Sequence, residues 1–94
     1  MHWNVYMILC SDGSLYTGIS TDVQRRFAQH AAGRGAKYFR GRSPSRIVYL
    51  ESGHDRSSAS HREMAIKKLA LAEKRALIIS AQNQVASFAK AERL

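Results

Sequence analysis

Four side chains in the first thirty residues carry groups that take part in phosphoryl chemistry: two phenols, a guanidinium and an imidazole. Tyr6 and Tyr16 lie in two short apolar segments, and Arg26 and His30 follow at helical spacing. Hydrolysis of a phosphodiester needs an activated water, a cation where charge builds on the phosphorus oxygens, and help for the departing alkoxide. A guanidinium suits the phosphate because it stays charged and donates two parallel hydrogen bonds. Groups of these four kinds could serve such a reaction, provided that the fold brings them together.

The two tyrosines lie in segments that predict a β-hairpin. Residues 5–9 and 15–19 are rich in β-branched, aromatic and aliphatic side chains, which favour strands. Residues 11–14 between them are polar and include a glycine, which is typical of a tight turn. The length of that turn decides whether the two phenols lie on one face of the sheet.

Two registers of this hairpin are possible, and they differ in where the phenols point. A two-residue loop would place the tyrosines on opposite faces, because side chains alternate along a strand. A three-residue loop that ends at a left-handed Gly13 pairs Ile8 with Tyr16 and Tyr6 with Gly18 instead. We predict this second register, in which both phenols share a face and Gly18 leaves room beside Tyr6.

A helix is predicted directly after the hairpin. Thr21 and Gln24 have the spacing of a capping box, and Gly33 marks the expected end of the helix. Arg26 and His30 are four residues apart, so they lie on one side of the helix and can face the same sheet. The neighbouring stripe repeats every four residues and is expected to be buried: Val23, Phe27 and Ala31.

The rest of the chain predicts a third strand and further helices. Residues 46–51 form an unalternated apolar run, which suggests a central or two-sided strand. Residues 52–55 predict a turn whose last residue, Asp55, caps the next helix. Apolar residues expected in the core follow at helical spacing: Ala59, Met64, Ile66, Leu69, Leu77, Ile78, Val85 and Phe88. The fold class is α+β, a small three-stranded antiparallel sheet flanked by helices, in a single domain over 1–94.

The tripeptides that contain the tyrosines are similar to the paired motifs of the GIY-YIG family of metal-dependent nucleases. The first reads Asn4-Val5-Tyr6, which departs from Gly-Ile-Tyr but keeps the tyrosine and a β-branched centre. The second reads Tyr16-Thr17-Gly18 and keeps both end residues. The resemblance runs from about Trp3 to about Lys74. The sequence Gly-x-Gly-Ala-Lys-Tyr after the first predicted helix resembles the short, stand-alone bacterial branch of the family.

The resemblance implies a role for each of five residues. Tyr6 would be the general base or its relay, Tyr16 would orient the water or the scissile phosphate, and Arg26 would bind a non-bridging oxygen. His30 would support them as an acid or base, and Glu63 would carry one Mg²⁺ or Mn²⁺. A phenol with an ordinary pKa of about 10 is a poor base at neutral pH, so this chemistry requires a nearby cation.

A basic, glycine-rich loop at 33–44 is expected to be exposed, with one helical turn at most. It interleaves aromatic and cationic side chains, which suits a nucleic-acid backbone. Asn83 is either the late asparagine that many relatives place near the active site or a surface polar residue. The residues expected to contact nucleic acid are Gly18, Arg34, Lys37, Tyr38, Arg40, Arg42, Arg46 and Lys67, which Lys68 could extend.

The composition narrows the class of partner. The chain has 94 residues, enough for one modest core, and 15 Lys and Arg against 7 Asp and Glu give a net charge of +8. Polyanions are the natural partners of such a chain. No apolar run approaches the roughly 20 residues of a membrane span and no cleavable leader is evident, so we expect a cytoplasmic protein without a membrane partner. The single Cys10 excludes an internal disulfide and a multi-thiolate zinc site.

The resemblance and the charge together predict an endonuclease that uses Mg²⁺ or Mn²⁺ and acts on DNA. A catalytic core this small predicts selectivity for branched, single-stranded or damaged DNA, as in DNA repair, rather than for a sequence. The alternative is a non-catalytic module of the same fold that binds DNA or RNA. A third possibility is an adaptor whose Leu77, Ile78 and Phe88 are exposed. No obligate protein partner is indicated.

Overall fold

A computed structural model describes residues 2–86 and contains a three-stranded antiparallel sheet with helices on both faces. The strand order is β2-β1-β3, with β1 in the centre. The predicted α+β class and the order of the elements are confirmed. The elements are β1 (Trp3–Cys10), β2 (Leu15–Ser20), α1 (Val23–Ala31), a 3₁₀ turn (Lys37–Phe39), β3 (Pro44–His54), α2 (Arg56–Lys67) and α3 (Leu71–Ile78).

The hairpin of β1 and β2 has the predicted three-residue loop. The backbone N–H of Cys10 donates to Ser14 O at 2.9 Å, and Gly13 has a φ of 84°. Tyr6 pairs with Gly18, and Ile8 pairs with Tyr16. Both tyrosines therefore project from the same face of the sheet, and the predicted register is confirmed.

Each face of the sheet has its own core. The face that carries the tyrosines, called the tyrosine face below, is covered by α1 and the 3₁₀ turn, and its buried members are Tyr6, Ile8, Cys10, Val23, Phe39 and Leu50. The opposite face, called the helix face, packs against α2 and α3, and its buried members are Val5, Met7, Tyr49, Ala59 and Ile66. Of the helices within residues 2–86, none combines the length and the apolar character needed to cross a membrane.

The third strand is two-sided, which is one of the two positions that the sequence suggests, and it does not lie in the centre of the sheet. Tyr49 is buried on the helix face and Leu50 on the tyrosine face, while β3 itself lies at an edge of the sheet. The predicted turn at 52–55 is wrong in part, because β3 continues to His54, which pairs with Trp3. Gly53 has a φ of 84° and the register shifts there, so the turn-forming residues are accommodated as an irregularity within the strand.

Three details of the predicted helices are wrong. The first helix is capped by Asp22, whose side chain accepts from Arg25 N at 3.1 Å, and not by Thr21. Ala31 is exposed, because a repeat of four residues drifts about 40° per step around a helix of 3.6 residues per turn, and His30 takes the buried position. Met64 is 56% exposed, whereas the predicted Asp55 cap of α2 is present.

Asn83 fastens the C-terminal segment to the outer edge of β3. Its side-chain amide donates to Val48 O at 2.8 Å and Ile78 O at 2.7 Å. Its carbonyl oxygen accepts from Leu50 N at 3.1 Å and Val85 N at 3.0 Å. The four partners are all backbone groups, so the role of Asn83 is structural. It covers part of the edge of β3 that would otherwise present unpaired backbone groups.

We expect Asn83→Ala to destabilise the domain by about 2–4 kcal/mol, because half-buried backbone donors and acceptors lose their partners at once. Urea unfolding followed by circular dichroism measures the change. Gln82→Ala is the matched control, since Gln82 is exposed, and it should cost less than about 0.5 kcal/mol. Equal stabilities of the two variants would contradict this assignment.

Two of the three apolar residues of the adaptor hypothesis are accounted for. Leu77 and Ile78 are half-buried and pack against the core of the helix face, which removes support from that hypothesis. Phe88 lies outside the described residues.

Candidate active site

The two phenols and the imidazole converge on the tyrosine face, as the sequence predicts. The ring centroids of Tyr6 and Tyr16 are 6.3 Å apart, and that of His30 lies 6.4 Å from Tyr6 and 5.2 Å from Tyr16. Phe39 closes the cluster, with its ring 4.4 Å from His30 and 4.9 Å from Tyr16. The predicted exposed loop therefore contributes a buried aromatic residue, which the sequence analysis missed.

Gly18 leaves the space in which the two phenols meet. A Cβ atom at this position would lie 2.7 Å from Tyr6 Oη and 3.0 Å from Tyr16 Cε2. The first distance is shorter than real Cβ contacts and the second is tighter than most of them, so a larger residue here would force the Tyr6 ring to shift. The role is steric, and the register Tyr6–Gly18 explains it.

His30 uses both ring nitrogens. Its Nε2 lies 3.1 Å from Tyr6 Oη, and its Nδ1 accepts the backbone N–H of Ala36 at 3.2 Å. The side chain is buried, and burial together with the nearby Arg26 lowers the pKa of His30 to about 4. The imidazole is therefore neutral at neutral pH.

Both phenols are protonated at neutral pH when no ligand is bound. Burial raises the pKa of Tyr6 well above 10.0, Tyr16 and Glu63 raise that pKa further, and Arg26 lowers it. Burial also raises the pKa of Tyr16, against the opposing charges of Lys67 and Arg26. Arg26 and Glu63 thus act on both phenols, which links the predicted guanidinium and carboxylate to this cluster electrostatically.

Arg26 is oriented by Gln29, which lies three residues further along α1. Its Nη1 donates to Gln29 Oε1 at 3.0 Å, and the arginine is half-buried. A guanidinium has five donors, so this bond leaves others for a ligand. The spacing of three residues was the available signal for this contact.

Glu63 lies on α2, and an ion-pair network fixes that helix. Arg62, the preceding residue, donates from Nε to both carboxylate oxygens of Glu51 at 3.1 Å, which ties α2 to β3. Glu63 itself pairs with Lys67, one turn later, at 3.2 Å. The carboxylate is half-buried and already has a cationic partner.

The donor set suits a hard divalent cation that keeps most of its water. Among residues 2–86 no three His, Cys, Asp or Glu side chains cluster in a way that could enclose a metal ion. Mg²⁺ commonly binds through one or two carboxylates, several waters and substrate phosphate oxygens. Glu63 fits the protein part of such a site, with Lys67 as the competing cation.

The cationic residues of the predicted nucleic-acid surface divide into groups. Arg34, Lys37 and Arg40 are exposed in the loop beside the site. Arg42 is already engaged, because its Nε donates to Asp12 Oδ2 at 2.7 Å and its guanidinium lies 4.3 Å from the centre of the Tyr38 ring. Tyr38 in turn packs against Tyr16, with ring centroids 5.2 Å apart.

Arg46 does not join that surface. It pairs with Leu9, and it lines a cleft of about 180 Å³ on the helix face together with Arg75 of α3. Irregular pairing of β1 with β3 near Leu9 makes the side-chain direction of Arg46 hard to predict from strand alternation alone. Arg46 therefore lies on the other face of the sheet from the phenols, and its contact with nucleic acid stays a prediction.

Acid should weaken the fold through His30. A pKa lowered from 6.5 to about 4 means that the unfolded chain binds more protons between those values, so stability falls as the pH drops from about 6.5 to about 4. At about 1.4 kcal/mol per pKa unit the loss approaches about 3 kcal/mol. Thermal unfolding across this range measures it, and His30→Gln should remove this part of the pH dependence. His61→Gln, at an exposed position, should leave the dependence intact.

Known proteins resemble this chain over most of its length. Residues 2–76 match the GIY-YIG catalytic domain. The chain is 56% identical over 77 residues to a UPF0213 protein of Halobacterium salinarum, covering 82% of this chain and 99% of that protein. It is 49% identical over 77 residues to a UPF0213 protein of Desulfotalea psychrophila, covering 81% and 70%. The solution NMR structure of a UPF0213 protein of Bacillus halodurans has 41% identity and a TM-score of 0.56, with 87% of each chain covered.

Proposed function

Because the chain belongs to the GIY-YIG family of nuclease domains, we propose that it is an endonuclease that hydrolyses phosphodiester bonds in DNA and depends on Mg²⁺ or Mn²⁺. The observation that carries the proposal is the meeting of Tyr6, Tyr16 and His30 beside Gly18. The charges of Arg26 and Glu63 act on both phenols at that point. Phenol and guanidinium groups that interact in this way suit a single phosphate group.

The proposed roles follow from the chemistry of each group. Arg26 binds a non-bridging oxygen, where negative charge develops in the transition state. Tyr6 acts as general base or relay for the attacking water, and Tyr16 orients that water or the phosphate. Glu63 provides the protein ligand for the divalent cation, which, when bound, neutralises phosphate charge and makes water more acidic. The protonated resting state of Tyr6 makes these cations necessary for base chemistry.

The proposed substrate is DNA with an irregular structure. The exposed cations Arg34, Lys37 and Arg40 beside the site would contact phosphates, which position a strand but carry no sequence information directly. Tyr38 offers an aromatic surface next to Tyr16, and unpaired bases stack on such surfaces. Branched, flapped or single-stranded DNA combines both features.

The test is cleavage of a panel of labelled DNAs: supercoiled plasmid, plain duplex, flap and single strand, each with Mg²⁺, Mn²⁺ or EDTA. We expect metal-dependent cleavage that favours the flap or the single strand. Tyr6→Phe, Arg26→Ala and Glu63→Gln should each lower kcat/KM by at least about 10²-fold. Controls are Arg25→Ala and Glu73→Gln, which change exposed residues of α1 and α3. The proposal would be overturned if the wild-type protein cleaved none of the substrates with any metal, or if the three variants were as active as wild type.

The Glu63–Lys67 ion pair favours a second candidate, a module of the same fold that binds nucleic acid without cutting it. A carboxylate that already has a cationic partner at 3.2 Å is less available to a metal ion. This candidate predicts binding that weakens steeply with salt, with a slope set by the number of phosphate contacts, and no metal-dependent product. Lys67→Ala separates the two: an endonuclease should then bind metal more tightly, whereas the binding module should only lose affinity for DNA.

A further inference from the structure

The hydrogen bonds of His30 determine which of its nitrogens carries the proton. Nδ1 faces the backbone N–H of Ala36 at 3.2 Å, and a backbone N–H can only donate. Nδ1 must therefore be the acceptor and carries no proton. Burial and Arg26 keep the ring neutral at neutral pH, and a neutral imidazole has one proton. That proton is on Nε2, which lies 3.1 Å from the Tyr6 oxygen.

We propose that His30 is a positioning residue that donates its Nε2–H to Tyr6, and that the backbone of residues 35–36 fixes this direction. The Tyr6 oxygen then accepts from His30, and its own O–H is left to point toward the substrate side of the site. His30 does not take the Tyr6 proton. It stabilises the negative charge of the phenolate whenever that forms. The mechanistic part of this inference rests on the proposed nuclease function, whereas the hydrogen-bond direction does not.

The surroundings of the imidazole allow little rotation. A Cβ atom on Gly35 would overlap the His30 ring, so the loop backbone packs directly against it. Phe39 and Tyr16 contact the ring from other sides, with centroids 4.4 Å and 5.2 Å away. A 180° flip of the ring would move both nitrogens away from their hydrogen-bond partners. The tautomer and the orientation of the ring are therefore determined together.

The direct test is the protonation of each ring nitrogen of His30, measured by long-range ¹H–¹⁵N correlation NMR on labelled full-length protein. We expect a protonated Nε2 and a bare Nδ1 at neutral pH, with the exposed His61 as the reference ring. A proton on Nδ1, or on both nitrogens, would overturn the proposal. The measurement needs no DNA, so it stands whether or not the chain cleaves DNA.

The source of the tautomer can be tested by changing one atom of the backbone. A chain of 94 residues is accessible to chemical synthesis, in which the amide nitrogen of Ala36 is replaced by an ester oxygen. This removes the N–H but keeps the shape of the loop. We expect the bare Nδ1 to become partly protonated. An unchanged tautomer would mean that the loop does not fix it.

Two substitutions test the donor role in catalysis. His30→Gln keeps an N–H near the position of Nε2, whereas His30→Asn is too short to reach Tyr6. We expect the kcat/KM of the His30→Gln variant to stay within about tenfold of wild type. The His30→Asn variant should lose about 10²-fold or more. The pKa of the Tyr6 phenol can be followed by ¹³C NMR of labelled tyrosine. It should be higher in the His30→Asn variant than in the His30→Gln variant, because only in the former does the phenolate lose the N–H donor at position 30. Equal phenol pKa values in the two folded variants would overturn the proposal without reference to activity.

Discussion

Gly18→Ala should remove most DNA cleavage while the domain stays folded. The new Cβ would lie 2.7 Å from Tyr6 Oη and 2.8 Å from Tyr6 Cζ, and the Tyr6 ring is 1% exposed and cannot swing into solvent. The ring must shift, which breaks the 3.1 Å contact with His30 and moves the phenol away from the phosphate position. A displacement near 1 Å at a reacting group costs about 10²-fold in rate, so we expect a loss of about 10²- to 10³-fold in kcat/KM.

The control for this variant is on the same strand but on the opposite face. Thr17 is buried, and within residues 2–86 its Oγ1 has no hydrogen-bond partner, so Thr17→Val keeps the shape and removes an unsatisfied hydroxyl. We expect Thr17→Val to cleave DNA like wild type and to be at least as stable. Gly18→Ala, in contrast, overpacks the site and should lower the free energy of unfolding by about 1–3 kcal/mol, measured by urea unfolding. Full activity in Gly18→Ala would show that the position of Tyr6 is not critical for cleavage.

The parts of this fold that the sequence predicts correctly depend on neighbours in the chain. The hairpin register depends on the loop before Ser14 and on strand alternation, so the shared face of Tyr6 and Tyr16 is predictable. The Asp55 cap is likewise local, because its side chain accepts from the backbone of Ser58, three residues later. These short-range rules are enough to place the phenols and the helix that follows them.

The parts that the sequence does not predict depend on distant contacts. Asn83 bonds to Val48 O and Leu50 N, more than thirty residues away, and no local pattern indicates such partners. The edge position of β3 results from its pairing with β1 across two helical segments. The backbone of Ala36 is invisible to arguments about side-chain types, yet it determines how His30 bonds. The clustering of the site is thus predictable, whereas the details that set its hydrogen bonds are not.

Arg26→Lys is expected to separate the charge of this residue from its geometry. Lysine keeps a positive charge near the phenols, so part of the electrostatic lowering of the pKa of Tyr6 should remain. It cannot donate two parallel hydrogen bonds to a phosphate while it also keeps a hydrogen bond to Gln29 Oε1. We expect a loss of about 10²-fold for Arg26→Lys and of about 10³-fold or more for Arg26→Ala, measured as kcat/KM on flap DNA.

Arg25 provides the matched comparison for Arg26, because it is the adjacent arginine of α1 and is exposed. Arg25→Ala removes the same charge from the same helix, so any shared effect reports long-range attraction of DNA and falls with added salt. We expect it to change kcat/KM by no more than about threefold at moderate salt. If Arg25→Ala and Arg26→Ala lost activity equally, the helix would contribute only a general positive field, and Arg26 could not be the group that binds the scissile phosphate.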